Sequence, residues 1–121
     1  MLRRVLLIDD SPSIRSLMSM ALGRSGYAVE EAGDGEAAIE LLDGRDVDVI
    51  VCDLNMPRMD GVSFLRWLRA HPHYKRVPVA VLTTETRPEM KAAVRTGGAN
   101  VFIKKPCPPG AFVDAVNRLC N

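Results

Sequence analysis

Three aspartates stand at the ends of short apolar runs in the sequence. Asp9 and Asp10 follow residues 5–8, and Asp53 follows residues 47–52. Carboxylates held close together repel one another, and some take up protons unless a cation compensates their charge. An all-oxygen set without histidine or cysteine suits Mg²⁺, which keeps several waters and also contacts phosphate oxygens. If the fold brings these aspartates together, they are candidate ligands of a magnesium ion.

Hydroxyl and ammonium groups stand at the ends of two further apolar runs. Thr83 and Thr84 end one run, and Lys104 and Lys105 end another. Opposite a metal, a threonine and a lysine can hold the remaining oxygens of a transferring phosphoryl group, which requires positioning and charge neutralisation. A carboxylate of the cluster can be the nucleophile and form an aspartyl phosphate. Neighbouring side chains of a strand point to opposite faces, so only one of the two lysines can reach such a site.

The elements that must position these groups alternate along the chain. Runs rich in β-branched residues are separated by segments of helical period. The predicted strands are residues 5–8, 27–32, 47–52, 77–82 and 101–103. Helical spacing of apolar residues marks five helices, represented by Leu17, Leu41, Leu65, the segment 88–96 and Val116.

This alternation predicts both the fold class and a meeting point for the polar groups. Right-handed βα crossovers place helices on both faces of a parallel sheet. The predicted fold is therefore an α/β doubly wound domain with a five-stranded parallel sheet and five helices. All strands of such a sheet end at one edge, where ligands bind. The three aspartates, a threonine hydroxyl and a lysine ammonium should line one crevice there, although the periodicity leaves the strand order open.

Composition favours a single domain over residues 1–121, without an output domain. The chain has 121 residues, 47% of them hydrophobic, which is enough for one core. Its 16 basic and 15 acidic side chains leave a formal charge of +1, which gives no reason to expect binding to nucleic acid or to an acidic membrane. The three cysteines form no CxxC pair, which fits free thiols in a reducing cytoplasm. No apolar run approaches the length of a signal peptide core or a transmembrane helix, so we expect a cytoplasmic protein without membrane insertion.

Five short motifs occur in order, each at its own predicted strand end. They are Asp9-Asp10, Asp53, Met56-Pro57 with Asp60-Gly61, Thr83, and Lys105-Pro106. Through these motifs the chain resembles, almost from end to end, the receiver domains of two-component response regulators, and most of all the stand-alone chemotaxis type. The resemblance implies a flavodoxin-like receiver architecture and a role in phosphorelay signal transduction.

The resemblance also implies how the acidic residues act. Asp53 accepts a phosphoryl group from the phosphohistidine of a sensor histidine kinase. Asp10 and Asp53 bind Mg²⁺ directly. Asn55 contributes its backbone carbonyl to the metal, and Asp9 acts through a water molecule.

A switch follows from the same resemblance. Thr83 hydrogen-bonds the phosphoryl group and Lys105 pairs with it, while Phe102 occupies a position whose aromatic ring turns inward on activation. The surface of the fourth helix, fifth strand and fifth helix then changes its affinity for a downstream protein. The Lys105-Pro106 bond is usually cis in the family.

Two residues are expected to set how long the phosphoryl group persists. Asn55 and Glu85 flank the expected path of the hydrolytic water, so that changing either should alter the lifetime of the aspartyl phosphate. Beyond this autodephosphorylation we expect no enzymatic activity, and a separate phosphatase is a further expected partner of a monomeric domain. The chain departs from the chemotaxis type at Leu54, where a tryptophan is frequent, and at Phe102, where a tyrosine is common.

Several alternatives remain open from the sequence. The first alternative is a receiver segment of a longer regulator, and the second is a binding module that is never phosphorylated. The third is a Mg²⁺-dependent phosphohydrolase that forms an aspartyl phosphate. Against the hydrolase, Asn55 stands where such enzymes usually carry a second aspartate. Arg87, Lys91 and Arg95 recur at helical spacing and form either a solvated face or a partner contact beside Phe102.

Overall fold

Strands and helices alternate along the chain. The computed structural model describes residues 2–56, 58–84 and 86–120. In chain order the elements are β1 (Arg4–Ile8), α1 (Pro12–Arg24), β2 (Ala28–Ala32), α2 (Gly35–Leu42), β3 (Val49–Asp53), α3 (Gly61–Ala70), β4 (Val79–Thr83), α4 (Pro88–Thr96), β5 (Val101–Lys104) and α5 (Pro109–Cys120). The predicted alternation is confirmed. Within the described ranges, no helix combines the length and the apolar composition needed to cross a bilayer.

The predicted strand boundaries were wrong by one or two residues. β3 and β4 each begin two residues later and end one residue later than predicted, and β1, β2 and β5 each differ by one residue at one end. Pro78 cannot donate to a ladder, and the N–H of Val77 bonds to the carbonyl of Tyr74 in the preceding turn, so β4 starts only after them. Asp53 and Thr83 are consequently the last residues of their strands.

The five strands form one parallel sheet in the order β2-β1-β3-β4-β5. Each pair of neighbouring strands is parallel. Because β2 lies on one side of β1 and β3, β4 and β5 lie on the other, the chain winds outward from β1 in both directions. Ile8 pairs with Cys52, which brings the residues after β1 beside Asp53 at the end of β3. The hydrogen-bonded register thus supplies the strand order that the periodicity left open.

Each face of the sheet carries its own apolar core. Alternate side chains of β1 and β3 point to opposite faces, so each strand contributes to both cores. Helices α1 and α5 cover one core, built on Val5, Leu7, Val49 and Val51. Helices α2, α3 and α4 cover the other, built on Leu6, Ile8, Ile50 and Cys52. Every residue of β3 is buried, which fixes the position of Asp53 at its end.

Tyr74 is a fully buried polar residue at the opposite end of the sheet from Asp53. Its hydroxyl oxygen lies 3.0 Å from the carbonyl oxygen of Leu42 and 2.9 Å from that of Arg45. Because Tyr74→Phe removes the only donor that these contacts share, we expect it to lower the free energy of unfolding by about 1–2 kcal/mol. Urea unfolding would measure this, with an unchanged m value showing that the two states stay comparable. An unaltered midpoint would contradict the prediction.

Candidate functional site

Three aspartates meet at the carboxyl edge of the sheet. Asp9 and Asp10 follow β1, Asp53 ends β3, and one oxygen of each carboxylate lies within 4.8 Å of the others. Asp9 and Asp53 are buried, with 1% and 5% of their surface exposed, whereas Asp10 is exposed. The predicted convergence of the carboxylates is confirmed, and the cluster is open to solvent on the side of Asp10.

The two oxygens of the Asp9 carboxylate have different surroundings. Oδ1 accepts a hydrogen bond from the backbone N–H of Ser11 at 2.8 Å. Oδ2 is buried and, among the described residues, accepts no hydrogen bond of ordinary geometry, although Lys105 Nζ lies 2.9 Å away as an ion-pair partner. A buried carboxylate oxygen is costly unless a cation or a donor compensates it. Lys105 supplies a compensating charge to this oxygen, and a bound cation, or a water bound to one, would be a further partner for it.

Lys105 places its ammonium group between two buried carboxylates. Nζ lies 2.9 Å from Asp9 Oδ2 and donates a hydrogen bond to Asp53 Oδ2 at 3.0 Å. Burial alone would lower the pKa of Lys105, but the contacts with Asp9 and Asp53 outweigh it and raise that pKa. The bond between Lys105 and Pro106 is cis, as the family resemblance implied. Lys104 is exposed, so Lys105 is the lysine that reaches the cluster.

The Asp53 carboxylate is held at both oxygens. Oδ1 accepts a hydrogen bond from the backbone N–H of Asn55 at 3.2 Å, and Oδ2 accepts the bond from Lys105. Burial raises the pKa of Asp53 above its ordinary value, while the Lys105 ammonium and the Asn55 amide oppose that rise. Asp53 is therefore a fixed, desolvated carboxylate with a cation in contact.

The donor set at this edge fits a hard divalent cation. Its three carboxylates supply only oxygen atoms, which Mg²⁺ prefers over nitrogen and sulfur. The exposed side at Asp10 leaves room for the waters that this ion retains. The buried Oδ2 of Asp9 is an oxygen that bound positive charge would compensate. Asp9, Asp10 and Asp53 therefore fit Mg²⁺ both in chemistry and in position.

Three of the remaining predicted site residues, Thr83, Asn55 and Phe102, lie at the same edge or beside it. Thr83 is buried as the last residue of β4, and Asn55 is exposed just after β3. Phe102 is half-buried in β5, and the guanidinium carbon of Arg95 lies 5.3 Å from the centre of its ring. Arg95, for which a solvated face and a partner contact beside Phe102 were both open, thus lies next to Phe102. Glu85 lies outside the described residues.

Two residues near the site were missed by the sequence analysis. Arg58, between β3 and α3, directs Nη2 and Nε at Oδ2 of Asp34, at 2.7 and 2.8 Å. Asp34 also caps α2, because its Oδ1 accepts a hydrogen bond from the N–H of Ala37 at 2.9 Å. A pairing between residues 24 positions apart leaves no local signal in the sequence.

The charge on Asp34 gives a pH-dependent contribution to stability. The Ala37 amide, and then Arg58, lower the pKa of Asp34 below its ordinary value against the effect of burial. A depressed folded-state pKa means that the stabilisation is complete above the unfolded value of roughly 4 and is lost as the pH falls through the folded value.

Asp34→Asn keeps an oxygen for the helix cap and removes this charge. We expect it to lower the free energy of unfolding by about 1 kcal/mol near neutral pH, and we expect the difference from wild type to shrink below roughly pH 4. Urea unfolding of both proteins across this range measures the effect. A difference that stays constant as the pH falls would refute it.

Comparison with known proteins agrees with this geometry. The response regulator receiver domain family matches residues 5–117. The solved structure of the chemotaxis protein CheY4 of Vibrio cholerae has a TM-score of 0.94 and 39% identity over 98% of this chain and 99% of that chain. Chemotaxis protein CheY1 of Helicobacter pylori strain J99 is 35% identical over 108 residues, 88% of this chain and 87% of that protein. The CAI-1 autoinducer sensor kinase/phosphatase CqsS of Vibrio cholerae is 33% identical over 115 residues, which span 94% of this chain but 17% of that protein.

These similarities confirm the predicted resemblance and the flavodoxin-like receiver architecture. They do not favour the alternative of an aspartyl-phosphate phosphohydrolase. The family match covers nearly the whole described sheet together with its helices. The chain therefore belongs to the response regulator receiver domain family, whose members are signalling switches of two-component phosphorelays.

Proposed function

We propose that Asp53 accepts a phosphoryl group from the phosphohistidine of a sensor histidine kinase. The observation that carries this proposal is the buried Asp53 carboxylate, in contact with the Lys105 ammonium and beside two further aspartates. A carboxylate oxygen of Asp53 forms a bond to phosphorus while the phosphorus–nitrogen bond of the donor breaks. The released imidazole nitrogen then keeps the electron pair and takes up a proton. The product on this chain is an aspartyl phosphate.

The metal in this proposal is Mg²⁺. Asp10 and Asp53 would hold it directly, Asn55 through its backbone carbonyl, and Asp9 through a water molecule. When bound, Mg²⁺ supplies positive charge to the oxygens of the transferring group. The burial of the three carboxylates supports this assignment. Asp9 and Asp53 are buried, which fixes the orientation of their carboxylates, whereas the exposed Asp10 leaves the site open to the ion.

Lys105 and Thr83 complete the charge neutralisation on the protein side. The Lys105 ammonium already contacts Asp53 Oδ2, so it needs little movement to pair with a phosphoryl oxygen on that carboxylate. Thr83 ends β4 next to Asp53 on β3, where a hydroxyl group can donate a hydrogen bond to another phosphoryl oxygen. Donors fixed before reaction avoid the cost of reorganisation during it.

The output of the site is proposed to be a change of partner affinity. As Thr83 moves towards the phosphoryl group, Phe102 turns inward, and the face formed by α4, β5 and α5 changes its affinity for a downstream protein. Phe102 is half-buried on β5 beside Arg95 of α4, so its ring forms part of this face. Similarity to CheY4 and CheY1 supports chemotaxis as the pathway.

The phosphorylated state is proposed to end by hydrolysis. Intrinsic autodephosphorylation, tuned by Asn55 and Glu85, returns the domain to its resting state, with a phosphatase as an additional partner. Because a histidine kinase draws its phosphoryl group from ATP, the proposed reaction takes place in the cytoplasm. A monomer is sufficient for it, since every proposed site residue belongs to one chain.

Beryllofluoride binding tests this proposal, because beryllofluoride on a carboxylate imitates an aspartyl phosphate. Fluorine NMR should show a bound signal in the presence of Mg²⁺ and lose it in an Asp53→Asn variant. Removing Mg²⁺ with a chelator should abolish the same signal. A bound signal that survives in Asp53→Asn would show that the acceptor is a different group.

A further inference from the structure

We propose that Arg58 is a positioning residue of the metal site. In this inference, its ion pair with Asp34 holds residues 54–56 and 58–60, between β3 and α3, in the arrangement that binds Mg²⁺. The inference rests on the proposed function and extends it to a residue that does not contact the metal.

The backbone of Arg58 lies in the left-handed region, with a φ of 63°. A residue with a Cβ atom is disfavoured there, whereas glycine is not. Such a conformation persists when the surroundings determine it from several sides. The contacts of the Arg58 side chain are therefore expected to fix this part of the chain.

The Arg58 side chain is anchored to the start of α2. Nη2 and Nε both reach Oδ2 of Asp34, at 2.7 and 2.8 Å, and Nη1 lies 3.6 Å from Oε2 of Glu36. The Asp34 side chain is only 11% exposed, and its other oxygen is occupied by the helix cap. The anchor is thus a nearly buried carboxylate that cannot follow Arg58 if the loop moves.

A second contact joins the same two segments. Met59 packs on Gly35, the first residue of α2, so closely that a Cβ atom on Gly35 would lie 2.8–2.9 Å from the Met59 side chain. Arg58 and Met59 are therefore fastened to consecutive residues of one helix start. A loop held at two adjacent points on a rigid element has little freedom to change shape.

This fastening bears on the metal site because the same stretch of chain carries Asn55. The Asn55 N–H donates to Asp53 Oδ1, and the Gly61 N–H donates to the carbonyl of Leu54 at 2.9 Å, which closes the loop beside the phosphoacceptor. If Arg58 is released, metal binding must order the loop as well as fill the site. Outer-shell groups that orient ligands commonly change metal affinity at least tenfold.

Two variants remove the pair from opposite sides. Arg58→Gly removes the guanidinium group and tolerates the left-handed backbone, and Asp34→Asn removes the partner charge while keeping an oxygen for the cap. We expect each to raise the Kd for Mg²⁺ on the order of tenfold by isothermal titration calorimetry. The Kd of the double variant should be no higher than that of either single variant, because both substitutions remove the same ion pair.

The two variants also separate positioning from long-range charge. If long-range charge alone set the affinity, Arg58→Gly, which removes a positive charge, should tighten Mg²⁺ binding, and Asp34→Asn, which removes a negative charge, should weaken it. Positioning predicts weaker binding in both. Arg45→Ala is the matched control, because Arg45 is exposed, pairs with Glu30 at 3.9 Å and precedes β3 at the opposite edge of the sheet. Its Kd should stay within about twofold of wild type.

Hydrogen exchange in the metal-free protein gives a second readout. The Gly61 amide, which closes the loop, should exchange on the order of tenfold faster in Arg58→Gly than in wild type. Amides of the buried strand β3 should exchange at their wild-type rates, once any change in the global free energy of unfolding is taken into account. Wild-type affinity for Mg²⁺ in Arg58→Gly, or tighter binding there, would overturn the positioning role and leave the proposed function intact. Failure of the wild-type protein to bind Mg²⁺ would overturn the proposed function, and this inference with it.

Discussion

Replacing Lys105 with alanine is expected to destabilise the metal-free protein by about 3 kcal/mol and to slow phosphorylation of Asp53 on the order of 100-fold. The Lys105 ammonium lies 2.9 and 3.0 Å from oxygens of Asp9 and Asp53, which are almost fully buried. Its removal leaves both carboxylates without the cation that faces them. Removing one partner of a buried ion pair is strongly destabilising because the remaining charge stays buried and uncompensated. Phosphorylation slows because one fixed cation no longer faces the transferring oxygens.

Lys104→Ala is the matched control for this change. Lys104 is the neighbouring residue and carries the same charge, but it is exposed. Urea unfolding should show the loss in Lys105→Ala and a change of less than about 0.5 kcal/mol in Lys104→Ala. Saturating Mg²⁺ should recover more stability in Lys105→Ala than in wild type, because the metal then supplies the positive charge that Lys105 no longer provides. Equal stability losses in the two variants would contradict the described ion pairs.

The second large effect is expected at Gly61, the first residue of α3. A Cβ atom there would lie 2.8 Å from the carbonyl oxygen of Asp53 and 2.9 Å from the Cα of Leu54. Both neighbours are backbone atoms that cannot rotate away. Gly61→Ala is therefore expected to lower the free energy of unfolding by about 2–3 kcal/mol, and to reduce phosphorylation because the chain next to the acceptor must shift.

Gly23→Ala separates this close approach from the general effect of replacing a helical glycine. Gly23 lies in α1, and nothing would lie within 4 Å of an added Cβ atom there. The substitution should raise the free energy of unfolding by about 0.5–1 kcal/mol, since alanine loses less backbone freedom on folding. Thermal or urea unfolding of the two variants compares them directly. If Gly61→Ala is as stable as Gly23→Ala, the described packing against Asp53 is wrong.

The sequence was sufficient to predict the fold class and the convergence of the three aspartates at one edge of the sheet. Polar residues placed at strand ends can be located without coordinates, because every strand of a parallel sheet ends at one edge. Asp9, Asp10 and Asp53 were expected together for this reason, and they lie together. The alternation of side chains allows only one of the two lysines to reach the site, and the family resemblance at Lys105-Pro106 indicated which one.

The features that the sequence did not predict depend on contacts between distant parts of the chain. The strand order follows from crossover geometry, which the hydrophobic pattern does not encode. The start of β4 shifted because Pro78 lacks a donor and Val77 is bonded to the turn before it. The pairing of Arg58 with Asp34 and the left-handed backbone of Arg58 arise only when two loops come together, so no local pattern predicts them.

Intact mass spectrometry after incubation with a small phosphodonor and Mg²⁺ tests the central claim most directly. The wild-type protein should gain one phosphoryl group, and neither an Asp53→Asn variant nor a chelator-treated sample should gain any. Such a result would establish Asp53 as the metal-dependent acceptor. An adduct that persists in Asp53→Asn, or no adduct on wild type under conditions that label an established receiver, would contradict the account.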